Sequence, residues 1–151
     1  MPNPVNESIA AHYTRSDLGS VILAALEGAG KDLGRLTPQD LAPVDEFHIR
    51  GRAATLELAR AAGLDASMRV LDVGCGVGGT SRCLAREFGC SVTGLDLTDA
   101  YCRAAALLTE KVGLADRIGY RQGDATDLPF DDGAFDVVWT EHVAMNIPDK
   151  P

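Results

Sequence analysis

Paired cysteines, long apolar runs and clustered basic residues are all missing from this sequence, and each absence removes a class of function. The four cysteines, Cys75, Cys83, Cys90 and Cys102, never fall in CxxC pairs and have no histidine at ligand spacing. Neither a structural zinc nor a disulfide framework is expected, and no metal ligand is assigned. Reduced thiols are the expected state. The longest apolar stretch, Val21 to Leu26, is too short to span a bilayer, which takes roughly twenty residues. The start MPNPVNESIA lacks the basic and apolar regions of a signal peptide, so a cytoplasmic location is expected. Lysine and arginine together number 14 against 22 aspartates and glutamates, a net charge of -8. Binding nucleic acid by counterion release needs clustered cations. The one close pair, Arg50 and Arg52, has no interleaved aromatics and reads as the start of a solvated helix. No nucleic-acid partner is expected.

What remains suits one globular domain: 151 residues, 46% hydrophobic and 24% charged, enough for a sizeable core. Residues 1–15 are polar with two early prolines and predict irregular chain. Ser16 caps a predicted helix from Asp17 to about Gly28, whose apolar face is Val21, Ile22, Ala25 and Leu26. Thr37-Pro38 opens a short turn that Pro43 closes. The run GRAATLELARAAG predicts a helix from Arg50 to Ala62, stopped at Gly63. Beyond it apolar runs alternate with helical segments, the pattern of an α/β fold with a parallel sheet and helices on its faces. Strands are predicted at 69–73, 91–95, 117–121 and 135–140. Helices are predicted at 79–88 before Gly89, and at 99–112 between a Thr98 cap and Gly113.

In such a sheet ligands bind at the carboxyl ends of the strands, and four motifs fall there. VLDVGCGVGG ends a strand in Asp72 and gives Gly74, Cys75, Gly76, Gly78 and Gly79, where the backbone can approach a ligand closely. About twenty residues later, Asp96 in GLDL places a carboxylate suited to two vicinal ribose hydroxyls. Gly123-Asp124-Ala125, ahead of Leu128-Pro129-Phe130, supplies an acceptor and an apolar surface for a purine. The last strand leaves through Thr140-Glu141-His142. Gly74, Gly76 and Gly79 also match the dinucleotide pattern G-x-G-x-x-G, which by itself fits NAD as well. Asp72 separates the two readings: a carboxylate there repels a pyrophosphate but can hold an ammonium group, directly or through backbone and water.

Taken together, VLDVGCGVGG, VTGLDL, QGDATDLPF and FDVVWTEHV resemble the class I S-adenosylmethionine-dependent methyltransferases over about residues 45–148. The likeness is greatest to the small-molecule branch with tocopherol, sterol, glycine or sarcosine and ubiquinone-type C-, N- and O-methyltransferases. The resemblance implies a Rossmann-like core with four parallel strands in the order 3-2-1-4, S-adenosylmethionine as cofactor and a small-molecule methyl acceptor. It implies that Asp72, Gly74, Cys75 and Gly76 serve the methionine end, Asp96 the ribose, Leu97 the adenine face, and Asp124 with Ala125 the adenine edge. EFHIRGR resembles a segment closing over the cofactor, which adds His48 and Gly51. Residues 1–44, with Tyr13 and the first helix, are expected as an amino-terminal helical lid on a core at 45–151. Where the acceptor must lose a proton, Glu141 or His142 is placed to take it.

Proteins of this class continue with a helix, a fifth strand and a hairpin, whereas this sequence stops at Pro151. The expectation is a cofactor-binding half whose fourth strand is an edge with an apolar face of Val137, Val138 and Trp139, covered by further chain, a second copy or another partner. Two rival readings accompany it: a nicotinamide-binding oxidoreductase, and an interaction module of the same fold without the chemistry.

Overall fold

Four short strands pair side by side in the computed structural model, which describes residues 17–45 and 51–147. Strands β1 (Arg69–Val73), β2 (Ser91–Asp96), β3 (Ile118–Gln122) and β4 (Val137–Trp139) form one sheet in the order β3-β2-β1-β4. Every pairing is parallel, as the alternation of strands and helices requires. Asp72 stands opposite Gly94 on one side and Trp139 on the other, and Asp96 opposite Gln122. The register therefore brings the residues after each strand, Gly74, Leu97, Gly123 and Thr140, out at one edge of the sheet.

The helices are α1 (Leu18–Gly28), the short α2 (Ala42–Asp45), α3 (Gly51–Ala61), α4 (Gly79–Phe88) and α5 (Asp99–Lys111). The β1-to-β2 and β2-to-β3 crossovers step the same way across the sheet, so right-handed connections put α4 and α5 on one face. Val70, Val92 and Trp139 meet Ala59, Leu84 and Ala85 there. The opposite face carries Leu71, Val73 and Leu95, covered by Ala125, Phe130 and Phe135 from the segment between β3 and β4. The two phenylalanine rings meet edge to face at 5.0 Å. A third cluster joins Ile22 and Leu26 of α1 to Leu36, Leu41 and Leu108, with Val77 of the glycine loop packed against it. It spans both sides of the expected 44/45 boundary.

Several predicted boundaries move for local reasons. Asp17 occupies the cap of α1, its carboxylate accepting from the Gly19 N–H; the predicted cap Ser16 lies outside the described residues. Pro43 sits inside α2 rather than closing the preceding turn. Thr98 holds the cap position of α5 without a side-chain bond; the Tyr101 and Cys102 N–H groups donate to its backbone carbonyl, and its own N–H donates to the Asp96 carboxylate. β4 shrinks to three residues since only β1 pairs with it. Its start is fixed by Arg69, whose backbone N–H and guanidinium both donate to Asp136. A single 3-10 turn, Ala144–Asn146, follows unpredicted. Among the described residues no helix is long and apolar enough to cross a membrane.

Candidate functional site

A cavity of about 410 Å³ opens at the carboxyl edge of the sheet, within the range of small-molecule sites. Gly74, Gly76, Asp96, Leu97, Asp124 and Ala125 all line it, so three separate sequence motifs meet in one place. A smaller cavity of about 260 Å³ adjoins it, sharing Gly74 and Gly76 and adding Cys75, Thr80, Glu141 and His142. The glycine loop is the wall between them.

The loop is shaped for close approach. Gly74 and Gly76 both have positive φ, +76 and +53, which a side chain adopts only with strain. A Cβ at Gly74 would stand 2.4 Å from Val143, whereas one at Gly76 would meet nothing within 4 Å. Gly76 thus leaves open a cradle that a Cβ would fill. Its N–H donates to the Asp96 carboxylate at 2.9 Å, and Thr98 N–H donates to the other oxygen of that carboxylate. Two backbone donors therefore hold Asp96 at the tip of β2, and lone pairs remain for hydroxyl groups of a ligand. Gly123 N–H binds the Asp96 carbonyl at 2.9 Å, which brings the third motif beside it. Asp124 accepts from the backbone and hydroxyl of Thr126, and these bonds hold its carboxyl below the usual carboxylate range. Leu97, 69% exposed, forms an apolar rim.

Asp72 is placed differently. Strand alternation turns it with Val70 and Trp139 onto the helical face, where it is 2% exposed and accepts from Ser81 Oγ at 2.6 Å. It lines neither cavity, so of the two routes to an ammonium group only the one through backbone and water is left. Burial pushes its carboxyl up to about 6, against the lowering effect of the Ser81 hydroxyl. Cys75 is also buried, and desolvation pushes its thiol up; all four cysteines are free.

Glu141 is gripped from three elements. Its carboxylate accepts from Thr55 Oγ1 of α3 at 3.0 Å, Thr80 Oγ1 of α4 at 3.3 Å and Trp139 Nε1 of β4 at 3.0 Å. His142 beside it has φ +54, the left-handed region that a non-glycine residue enters at a cost. Sequence reasoning missed Thr55 and Thr80, since contacts across 86 and 61 positions leave no local pattern. It also missed Tyr101 and Ile147 at the first cavity. Gly51 begins α3 with φ +51 and lines neither cavity; His48 and Tyr13 lie outside the described residues.

The comparisons with known proteins bear on the fold and the family. The chain is 42% identical over 82 residues to the chloroplastic tocopherol O-methyltransferase of Arabidopsis thaliana, covering 54% of this chain and 24% of that protein. With the glycine/sarcosine/dimethylglycine N-methyltransferase of Actinopolyspora halophila it shares 35% identity over 115 residues, 76% of this chain and 19% of that one. Among solved structures, the geranyl diphosphate C-methyltransferase of Streptomyces coelicolor, in complex with S-adenosyl-L-homocysteine, superposes with a TM-score of 0.56 at 27% identity. That match covers 60% of this chain and 33% of the other. The chain thus spans about a quarter or less of the length of the two curated relatives. A family model described as a methyltransferase domain matches residues 71–151, from the glycine loop through all four strand ends, and the chain belongs to that family.

Proposed function

We propose that this chain is the cofactor-binding half of an S-adenosylmethionine-dependent methyltransferase acting on a small molecule. The observation that carries the reading is the convergence of Gly74, Gly76, Asp96, Leu97, Asp124 and Ala125 on one cavity. On this reading Asp96 takes the ribose hydroxyls, Leu97 and Ala125 flank the adenine, and Asp124 meets its edge. The methionine end runs past Gly74 and Gly76 toward the second cavity, where Cys75 is a loop neighbour and Asp72 supports the loop from beneath. When bound, the cofactor supplies a methyl group on a sulfonium, a leaving group good enough that no covalent enzyme intermediate is needed. The protein's part is to position the reactants and exclude water. Glu141, fixed by its donors, or His142 next to it accepts a proton where the acceptor carries one. A cover from the amino-terminal side, with His48 and residues 1–44, belongs to the same reading, whereas Gly51 lines neither cavity. A cytoplasmic location and the absence of a nucleic-acid partner belong to the same reading. So does a partner, or a second copy, against the β4 edge.

The acceptor is a small molecule bearing a nucleophilic carbon, nitrogen or oxygen, in keeping with the activities for which the tocopherol and sarcosine relatives are named. Titration calorimetry with S-adenosylmethionine, S-adenosylhomocysteine and NAD tests the cofactor. The first two are expected to bind, and Asp96→Ala is expected to weaken both by about 100-fold, the loss of two hydrogen bonds to a charged group. Binding of NAD alone would sink the reading, and unchanged affinity in Asp96→Ala would favour the interaction module.

A further inference from the structure

Beneath the glycine loop lies a charge that the proposed chemistry does not use. Arg82, on the first turn of α4, is 1% exposed. Its Nη2 donates to Asp45 Oδ1 at 2.5 Å, and its Nη1 to Thr109 Oγ1 at 3.2 Å and Ala105 O at 3.5 Å. The Thr109 hydroxyl pairs in turn with Tyr120 Oη at 2.8 Å. A buried guanidinium is costly unless a carboxylate meets it. Asp45 meets this one from α2, 37 positions away in sequence.

Two glycines show what the pair holds in place. A Cβ at Gly78 would stand 2.9 Å from Arg82 Nη1 and 2.4 Å from Tyr120 Oη, so the loop lies directly on the guanidinium and its neighbour. A Cβ at Gly79 would stand 2.7 Å from Asp45 Cβ and 2.8 Å from its carbonyl oxygen, so Asp45 lies directly on the start of α4. Val44, Asp45 and Gly79 all line the second cavity. Arg82 thus supports the loop from below and, through Asp45, draws the end of α2 across it from the other side.

We propose that the Arg82–Asp45 pair is a latch that sets the width of the second cavity, and so acts as a positioning device for the methionine end of the cofactor. The inference rests on the cofactor reading above. Arg82 stays outside that cavity and acts through Gly78, whereas Asp45 acts through Gly79 at the cavity wall. The order of the elements explains why a charge is used. Residues 17–45 join the fold from outside the sheet through an apolar cluster, and the ion pair adds a directional contact where they end against the loop.

The test uses the whole chain, with S-adenosylhomocysteine as the calorimetric probe and the thermal midpoint measured beside it. Asp45→Asn is expected to weaken the probe by about tenfold at a temperature where the variant is fully folded, and Asp45→Glu to recover most of that loss. A purely structural role would lower the midpoint of Asp45→Asn and leave the affinity of the folded protein unchanged, which would overturn the proposal. Equal affinities for Asp45→Asn and Asp45→Glu would overturn it too. Should Asp45→Asn fail to fold, Gly79→Ala pushes Asp45 away from the loop while keeping its carboxylate in the chain to pair with Arg82. It is expected to show the same loss, and wild-type affinity in that variant would reject the latch. No binding by the unaltered chain would remove the cofactor reading and the latch together, whereas binding unaffected by these variants removes the latch alone.

Discussion

Asp72 shows how a residue picked out by sequence depends on strand phase for its place. Its position before the glycines marked it as functional, but whether its carboxylate points to a ligand or into the interior depends on strand phase. The phase sets it on the helical face against Ser81. Burial raises its carboxyl from 3.8 to about 6. The proton is therefore held more tightly in the folded state, so this group's contribution is fully present below pH 4 or so. It is lost as the pH rises through the folded value, at a cost of about 3 kcal/mol. Asp72→Asn should remove that slope: denaturant unfolding from about pH 3 to about pH 8 should show the wild type losing about 3 kcal/mol more than the variant. Parallel profiles would show that Asp72 does not titrate in this range. Gly78 gives a second residue-scale expectation. With φ +86 and a Cβ that would overlap Tyr120 and Arg82, Gly78→Ala should destabilise the fold by about 2–4 kcal/mol, the sum of a left-handed alanine and an overpacked core. Equilibrium unfolding measures it, and a loss under about 1 kcal/mol would contradict the packing described.

At the scale of elements, β4 divides into sides of unequal weight. Trp139 is 4% exposed in the main core and donates to Glu141, whereas Val138, 63% exposed, shares the face of its partner Leu71. Trp139→Ala should therefore cost about 3–5 kcal/mol and Val138→Thr less than about 0.5 kcal/mol, as chemical denaturation of both variants would show. Similar losses for the two would mean that the strand's phase is reversed. The same strand shows what sequence reading can recover. Its existence and direction followed from the apolar run and the parallel pattern, but its ends did not, because three residues of pairing to β1 limit it. The helices were legible almost to the residue where glycines stop them, at Gly63, Gly89 and Gly113, each with positive φ. They were less so at their starts. Asp17 and Ser16 are both good caps, and Thr98 sits at the cap of α5 with its backbone carbonyl, not its hydroxyl, taking the Tyr101 N–H.

For the whole molecule, the site was legible wherever topology alone assembles it. A parallel sheet delivers strand ends to one edge, so the motifs at Gly74, Asp96 and Asp124 had to converge once the strand order was right. What could not be read is what side chains build between elements: the grip of Thr55 and Thr80 on Glu141, and the pair of Asp45 with Arg82. Such contacts join residues distant in sequence and depend on packing, which no periodicity encodes. The central claim is that the larger cavity holds the adenosine of S-adenosylmethionine. Backbone amide chemical shifts followed during titration with S-adenosylhomocysteine test it most directly. The account predicts the largest changes at Gly74, Gly76, Asp96, Leu97, Asp124 and Ala125, with no comparable response to NAD. Largest changes on α3 or at the outer face of α5, or a response to NAD alone, would contradict it.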